Sequence, residues 1–114
     1  MKHDDVLIKH ILDEIEFLKQ QSQNINLENL MVNEVLKRAF ARSIEIIGEA
    51  SKNLSETLKA KYPEIEWKKI AGMRDKLIHA YFGIDWEIVW DVIVNRLPKL
   101  ETDINALNER EFNR

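Results

Sequence analysis

The sequence predicts an all-α fold, an up-and-down four-helix bundle whose last helix is kinked or split at Pro98. Three observations carry this. Apolar residues recur at helical spacing along nearly the whole chain. Only three glycines and two prolines punctuate its 114 residues. Strand signal is almost absent, and no repeat or low-complexity tract interrupts the pattern. A chain of this length builds one core and not two, so residues 1–114 are expected to be a single helical domain.

The first helix is expected from Asp4 or Asp5 to Gln20. Asp4 and Asp5 suit a cap and the positive end of the helix dipole. Val6, Ile8, Ile11, Leu12, Ile15 and Leu18 form its apolar stripe, and the polar run from Gln20 to Asn24 ends it. The second helix starts between Leu27 and Asn33 and runs to about Lys61, with Leu36, Phe40, Ile44, Ile47, Leu54 and Leu58 inside. At about 30 residues it would be ~45 Å long. That is too long for its neighbours to cover, so an exposed end is left for a partner. Tyr62-Pro63 stops it, because the residue before proline avoids the helical region. Pro63 to Glu66 is a turn.

Trp67 starts the third helix, which carries Ile70, Met73, Leu77 and Ile78. The sequence Phe82-Gly83-Ile84-Asp85 breaks it, with Gly83 as a left-handed C-terminal residue and Asp85 as the cap of the next helix. The fourth helix runs from Trp86 to about Leu107, with Ile88, Val89, Val92, Ile93, Leu97, Leu100, Ile104 and Leu107 inward. Pro98 falls within it and must kink or divide it.

Composition narrows the function. Charged residues are 32% of the chain and well mixed, with a net charge of -3. Nucleic-acid binding would therefore need a local basic patch. The absence of cysteine removes disulfides, thiolate nucleophiles and cysteine-based zinc sites. No long apolar run and no signal peptide are found, so a cytoplasmic protein away from membranes is expected.

The chemistry concentrates in Arg74-Asp75-Lys76-Leu77-Ile78-His79-Ala80-Tyr81. Asp75 and His79 are four apart and share a helix face. Arg74 and His79 are five apart, roughly 140° around the axis. They converge if the helix ends near His79, if arginine uses its reach, or if two copies meet at a symmetry axis. A purely structural reading also exists. His79 would then cap the helix C-terminus, Arg74 would pair with a carboxylate, and Tyr81 would be half-buried.

The spacing Arg74-x4-His79-x-Tyr81 resembles the signature of HEPN domains. The stretch from Gly72 to Trp90 resembles the HepT-like toxin branch of that family, as do Ala41 to Leu54 and Asn95 to Leu100. With the first helix included, the resemblance covers essentially the whole chain. It implies a metal-independent endoribonuclease toxin with Arg74 and His79 as catalytic residues. It further implies a homodimer with two motifs near the dimer cleft, an RNA substrate, no cofactor, and a minimal nucleotidyltransferase antitoxin that adenylylates Tyr81. The residue chemistry is compatible with that. Histidine is the proton shuttle near neutral pH, and arginine offers a fixed fork of donors to phosphate. Asp75 and Tyr81 are supporting residues. Asp75 would orient His79, and Tyr81 would contact substrate. The alternative is a non-catalytic module that binds a nucleotide or partner and is only a substrate of the nucleotidyltransferase.

Other residues carry open alternatives. Arg38, Arg42, Glu45 and Glu49 recur on one side of the second helix. They form either a ladder of intrahelical ion pairs or an RNA cleft at Arg38 and Arg42, with Glu45 or Glu49 holding Arg74. Lys76, with Lys68 and Lys69, adds a small basic patch or an ordinary exposed face. Gly48 lies mid-helix, where glycine costs about 0.8–1 kcal/mol relative to alanine. A close helix crossing or a dimer contact would explain it. His10 with Asp13 and Glu14 has metal-ligand spacing, yet a solvated face is the better reading, and no metal site is expected. His3 reads as tail. Trp67, Trp86 and Trp90 are expected as core or interface anchors.

Overall fold

The helices form where the periodicity places them, except that the second is interrupted twice. The computed structural model describes residues 3–79 and 83–112, with backbone alone for 77–79. The elements are α1 (Asp4–Ser22), α2 (Leu27–Met31), α3 (Glu34–Asn53), α4 (Glu56–Lys61), α5 (Trp67–His79), α6 (Trp86–Asp91), a π-helical turn (Val92–Arg96) and α7 (Leu97–Glu111). No strand occurs among the described residues. The chain is an all-α bundle of four rods: α1, the α2–α4 series, α5, and the α6–α7 series.

The rods share one core. Ile8, Ile11, Ile15 and Leu18 of α1 meet Phe40, Ile44 and Ile47 of α3. Ile70, Trp86, Val89, Ile93, Leu97, Ile104 and Leu107 complete the cluster from the other rods. Each fully buried side chain of this kind stabilises by about 1.5–3 kcal/mol. Two expected stripe members lie outside. Val6 is exposed because it sits two positions, about 200°, from Ile8. Ile88 is 62% exposed. Leu77 and Ile78 were expected inside α5, and their side chains lie outside the described residues.

The single long second helix is corrected to three segments. The first interruption is at Val32-Asn33, where the Asn33 side chain accepts the Leu36 N–H at 3.0 Å and starts a new helix. The second is at Leu54-Ser55. Ser55 accepts the Leu58 N–H at 3.1 Å and so caps α4. Its own N–H donates to Asp4 Oδ1 at 3.0 Å and its hydroxyl to Asp4 Oδ2 at 2.6 Å. A continuous helix would have used the Ser51 carbonyl for that N–H, and Asp4 supplies another acceptor. The uncovered end expected of a single long helix goes with that correction; the exposed apolar residues lie at the first interruption, where Val32 and Val35 are 84% and 81% exposed.

Asp4 is therefore a buried tie between α1 and the α3–α4 joint, and not the expected cap. His3 takes the N-cap position without a side-chain hydrogen bond. Burial pushes the Asp4 carboxyl up, but the hydrogen bonds that it accepts outweigh this and leave it below the ordinary aspartate value. A depressed folded pKa adds stability above the unfolded pKa, and this is lost as pH falls through the folded value. Asp4→Ala is expected to cost about 1.5–3 kcal/mol in urea unfolding at neutral pH. The gap to wild type should narrow on acidification below the ordinary aspartate range. A gap that stays constant with pH would rule out this carboxylate as the cause.

The remaining punctuation follows expectation with one exception. α4 stops before Tyr62-Pro63, and α5 starts at Trp67. The Asp85 side chain caps α6, accepting the N–H groups of Glu87 at 3.0 Å and Ile88 at 3.3 Å. No described residue has a positive φ, so the left-handed turn expected at Gly83 finds no support. Pro98 is the second residue of α7, where its missing N–H costs least. The irregularity lies just before it. The Leu97 N–H reaches back five residues to the Val92 carbonyl. That wider turn separates the proline ring from the carbonyls that an α-helix would press against it.

The tryptophans behave as anchors. Trp86 is buried under the Lys37 ammonium, 5.6 Å from its ring centre. Trp67 and Trp90 pack half-buried against the core, and the Trp67 indole N–H donates to the Tyr62 carbonyl at 3.1 Å. Tyr62 is itself 3% exposed and donates its hydroxyl to Glu111 at 2.8 Å.

Candidate functional site

The site begins at a helix crossing. Gly48 of α3 is buried where α3 meets α5. A Cβ there would collide with the Arg74 Cβ and stand 3.1 Å from the Ile70 carbonyl oxygen. Of the two explanations for Gly48, the close crossing is the one observed. The missing side chain lets the Arg74 stem lie directly on α3.

Arg74 is thereby fixed at its base and at its tip. Nη1 pairs with Asp75 Oδ1 at 3.1 Å, and Nη2 with Glu49 Oε1 at 3.5 Å. Nε is buried and has no hydrogen-bond partner among the described residues. Glu49, rather than Glu45, is the carboxylate that reaches Arg74. Glu45 instead accepts from Arg42 at 2.6 Å within α3. The stripe thus holds one intrahelical ion pair and one across helices. Arg38 is exposed and forms no ion pair among the described residues.

The other expected residues sort plainly. Asp75 and Lys76 are exposed on α5 beside Arg74. One Asp75 oxygen is engaged by Arg74, and the expected pairing of Asp75 with His79 falls on a side chain outside the described residues. His79 ends α5 by its backbone; its side chain lies outside the described residues, as does Tyr81. Lys69 pairs with Glu66 at 3.1 Å, and Lys68 is exposed. His10 and Asp13 are exposed, and Asp13 pairs with Lys9 at 3.7 Å. Among the described residues no group of three His, Cys, Asp or Glu could hold a metal ion. No described helix is long and apolar enough to cross a membrane.

Sequence reasoning missed a groove of about 600 Å³ beside Arg74. Ile44, Met73, Ile84, Val89 and Val92 make its walls, and Asp75, Lys76 and Asp85 add charge. The exposed Ile88 also lines it. Ile84, Ile88 and Val92 stand four apart, a visible signal, but that spacing reads equally as core. The arrangement offers a positioned guanidinium, flanking charges and an apolar surface within one region.

The comparisons with known proteins give the family. The family model described as Ribonuclease HepT-like matches residues 11–107. A provisionally named RNase of Caldanaerobacter subterraneus subsp. tengcongensis is 45% identical over 97% of this chain and 99% of its own. A protein of Thermococcus cleftensis with the name Probable ribonuclease HepT is 38% identical, covering 94% of this chain and 96% of its own. A provisionally named RNase of Methanocaldococcus jannaschii is 39% identical over 90% of this chain and 79% of its own. No solved structure matches significantly. With nearly its whole length matched both by the family model and by full-length relatives, the chain belongs to the ribonuclease HepT-like family.

Proposed function

We propose that the protein is a metal-independent endoribonuclease, the toxin of a toxin–antitoxin pair, acting in the cytoplasm with residues 1–114 as one HEPN-like domain. Family membership and the RNase names of its relatives support the activity class. The observation that carries the site is Arg74, a guanidinium held at a helix crossing at the start of the Arg74-x4-His79-x-Tyr81 motif.

In this reading Arg74 receives the scissile phosphate, and His79 moves the proton. The RNA 2′-hydroxyl attacks the adjacent phosphorus and loses its proton. The 5′-oxygen leaves and gains one. The products are a 2′,3′-cyclic phosphate and a free 5′-hydroxyl. One histidine per site is few for both transfers, and a homodimer with facing motifs brings two. Arg38, Arg42 and Lys76 supply positive charge along the path of the RNA.

Control falls to Tyr81. The chain has two tyrosines, and Tyr62 is buried with its hydroxyl on Glu111. An enzyme modifying a tyrosine therefore finds Tyr81 the better target. An adenylyl group there sets a phosphate anion and a purine beside the motif, where the anion competes with RNA for Arg74.

One experiment tests the reading. Purified protein should cleave RNA with EDTA present and yield cyclic-phosphate ends. Protein first incubated with the minimal nucleotidyltransferase, ATP and Mg²⁺ should gain one adenylyl mass on Tyr81 and lose cleavage. Cleavage that stops on chelation would overturn the metal-free mechanism. An unmodified mass with cleavage still blocked would replace modification by steric masking. RNA left intact by the unmodified protein would favour the binding module that is only modified.

A further inference from the structure

Among the described residues, the Arg74 guanidinium meets more carboxylates than its single charge balances. Two carboxylates, Glu49 at 3.5 Å and Asp75 at 3.1 Å, face one guanidinium. Both terminal nitrogens are engaged by them, and Nε is buried with no partner among the described residues. The fork that a phosphate would take is already filled by the protein's own anions.

The two carboxylates differ in origin. Asp75 follows Arg74 on α5 and moves with it. Glu49 reaches across from α3, next to Gly48, so the helix crossing sets its place. Its side chain is 45% exposed. A pair this open to water is weak and exchangeable. A phosphate that meets the guanidinium with two oxygens makes the stronger partner.

We propose that Glu49 is a positioning residue that holds Arg74 against α3 and competes with the RNA phosphate for it. The assignment rests on the reading that this site binds RNA. Glutamine at position 49 keeps an acceptor for Nη2 but removes the competing charge. Glu49→Gln should therefore tighten RNA binding about fivefold, the upper range for one exposed ion pair. In the cleaving protein the gain should appear as a lower KM with kcat not raised, because the charge opposes substrate and transition state alike.

Binding of a mixed-sequence single-stranded RNA oligonucleotide is measured by fluorescence anisotropy in a His79→Ala background, so that nothing is cleaved. Glu16→Gln, on an exposed part of α1, makes the same charge change elsewhere and should have little effect. In an Arg74→Ala background the Glu49→Gln gain should vanish, because the competition is for that arginine. A gain that persists without Arg74, or that Glu16→Gln reproduces, would show a general charge effect and overturn the assignment. Equal binding with and without the Glu49→Gln substitution would overturn the assignment alone. No RNA binding in either case would remove the RNA reading with it.

Discussion

His79→Ala and Arg74→Ala are each expected to abolish RNA cleavage in EDTA while leaving the helical content intact. General acid–base catalysis contributes typically 10²–10⁴-fold, and removing histidine forfeits that. In the proposed mechanism the arginine is the donor to the crowded phosphate oxygens, and its loss should cost on the order of 10²–10³-fold. Arg74→Lys should recover little, because a point charge does not replace a planar fork. The fold should survive both changes. Arg74 is partly exposed, and its partners Glu49 and Asp75 are half in water, so they are not left as buried charges. Circular dichroism beside a product gel settles the matter. If both alanine variants retain full activity, the motif is structural and the site lies elsewhere.

The second large effect is expected at Gly48, with a sign opposite to that at Gly72. Glycine to alanine inside a helix ordinarily stabilises by about 0.8–1 kcal/mol. At Gly72 nothing lies within 4 Å of an added Cβ, so that gain should be realised. At Gly48 the new methyl meets the Arg74 Cβ and the α5 backbone, neither of which can swing aside. Overpacking of this kind costs typically 1–3 kcal/mol, which exceeds the propensity gain at most of that range. Gly48→Ala should therefore lower stability in urea unfolding and reduce cleavage, since α5 must move with Arg74 on it. Equal stabilisation by the two substitutions would show that the crossing is loose.

The faces of the helices were legible because burial imposes their period, as at Ile8, Ile11, Ile15 and Leu18. The breaks in the second helix were not. Asn33 and Ser55 are ordinary cap residues, but inside an apolar-periodic run they read as tolerated polar positions. What ends the helix at Ser55 is a carboxylate 51 positions earlier, and no local pattern contains that. The site was legible in part. The spacing put Glu45 and Glu49 on one side of α3 but could not choose between them. The choice follows from the Gly48 crossing, which is a tertiary fact. The roles given to His79 and Tyr81 come from the family resemblance and lie beyond the described side chains.

The π turn before Pro98 has a consequence for how such chains can vary. A π turn is an α-helix that has absorbed one extra residue, and here the buried positions Val89, Ile93 and Leu97 stand four apart across it. The extra residue and the proline are coupled. A lineage that deleted one residue between Val92 and Arg96 and kept Pro98 would drive the ring into the preceding carbonyls. A lineage that lost the proline and kept the residue would carry a bulge with nothing to relieve. The two are therefore expected to change together: deleting one residue between Val92 and Arg96 should be tolerated only with a change at position 98.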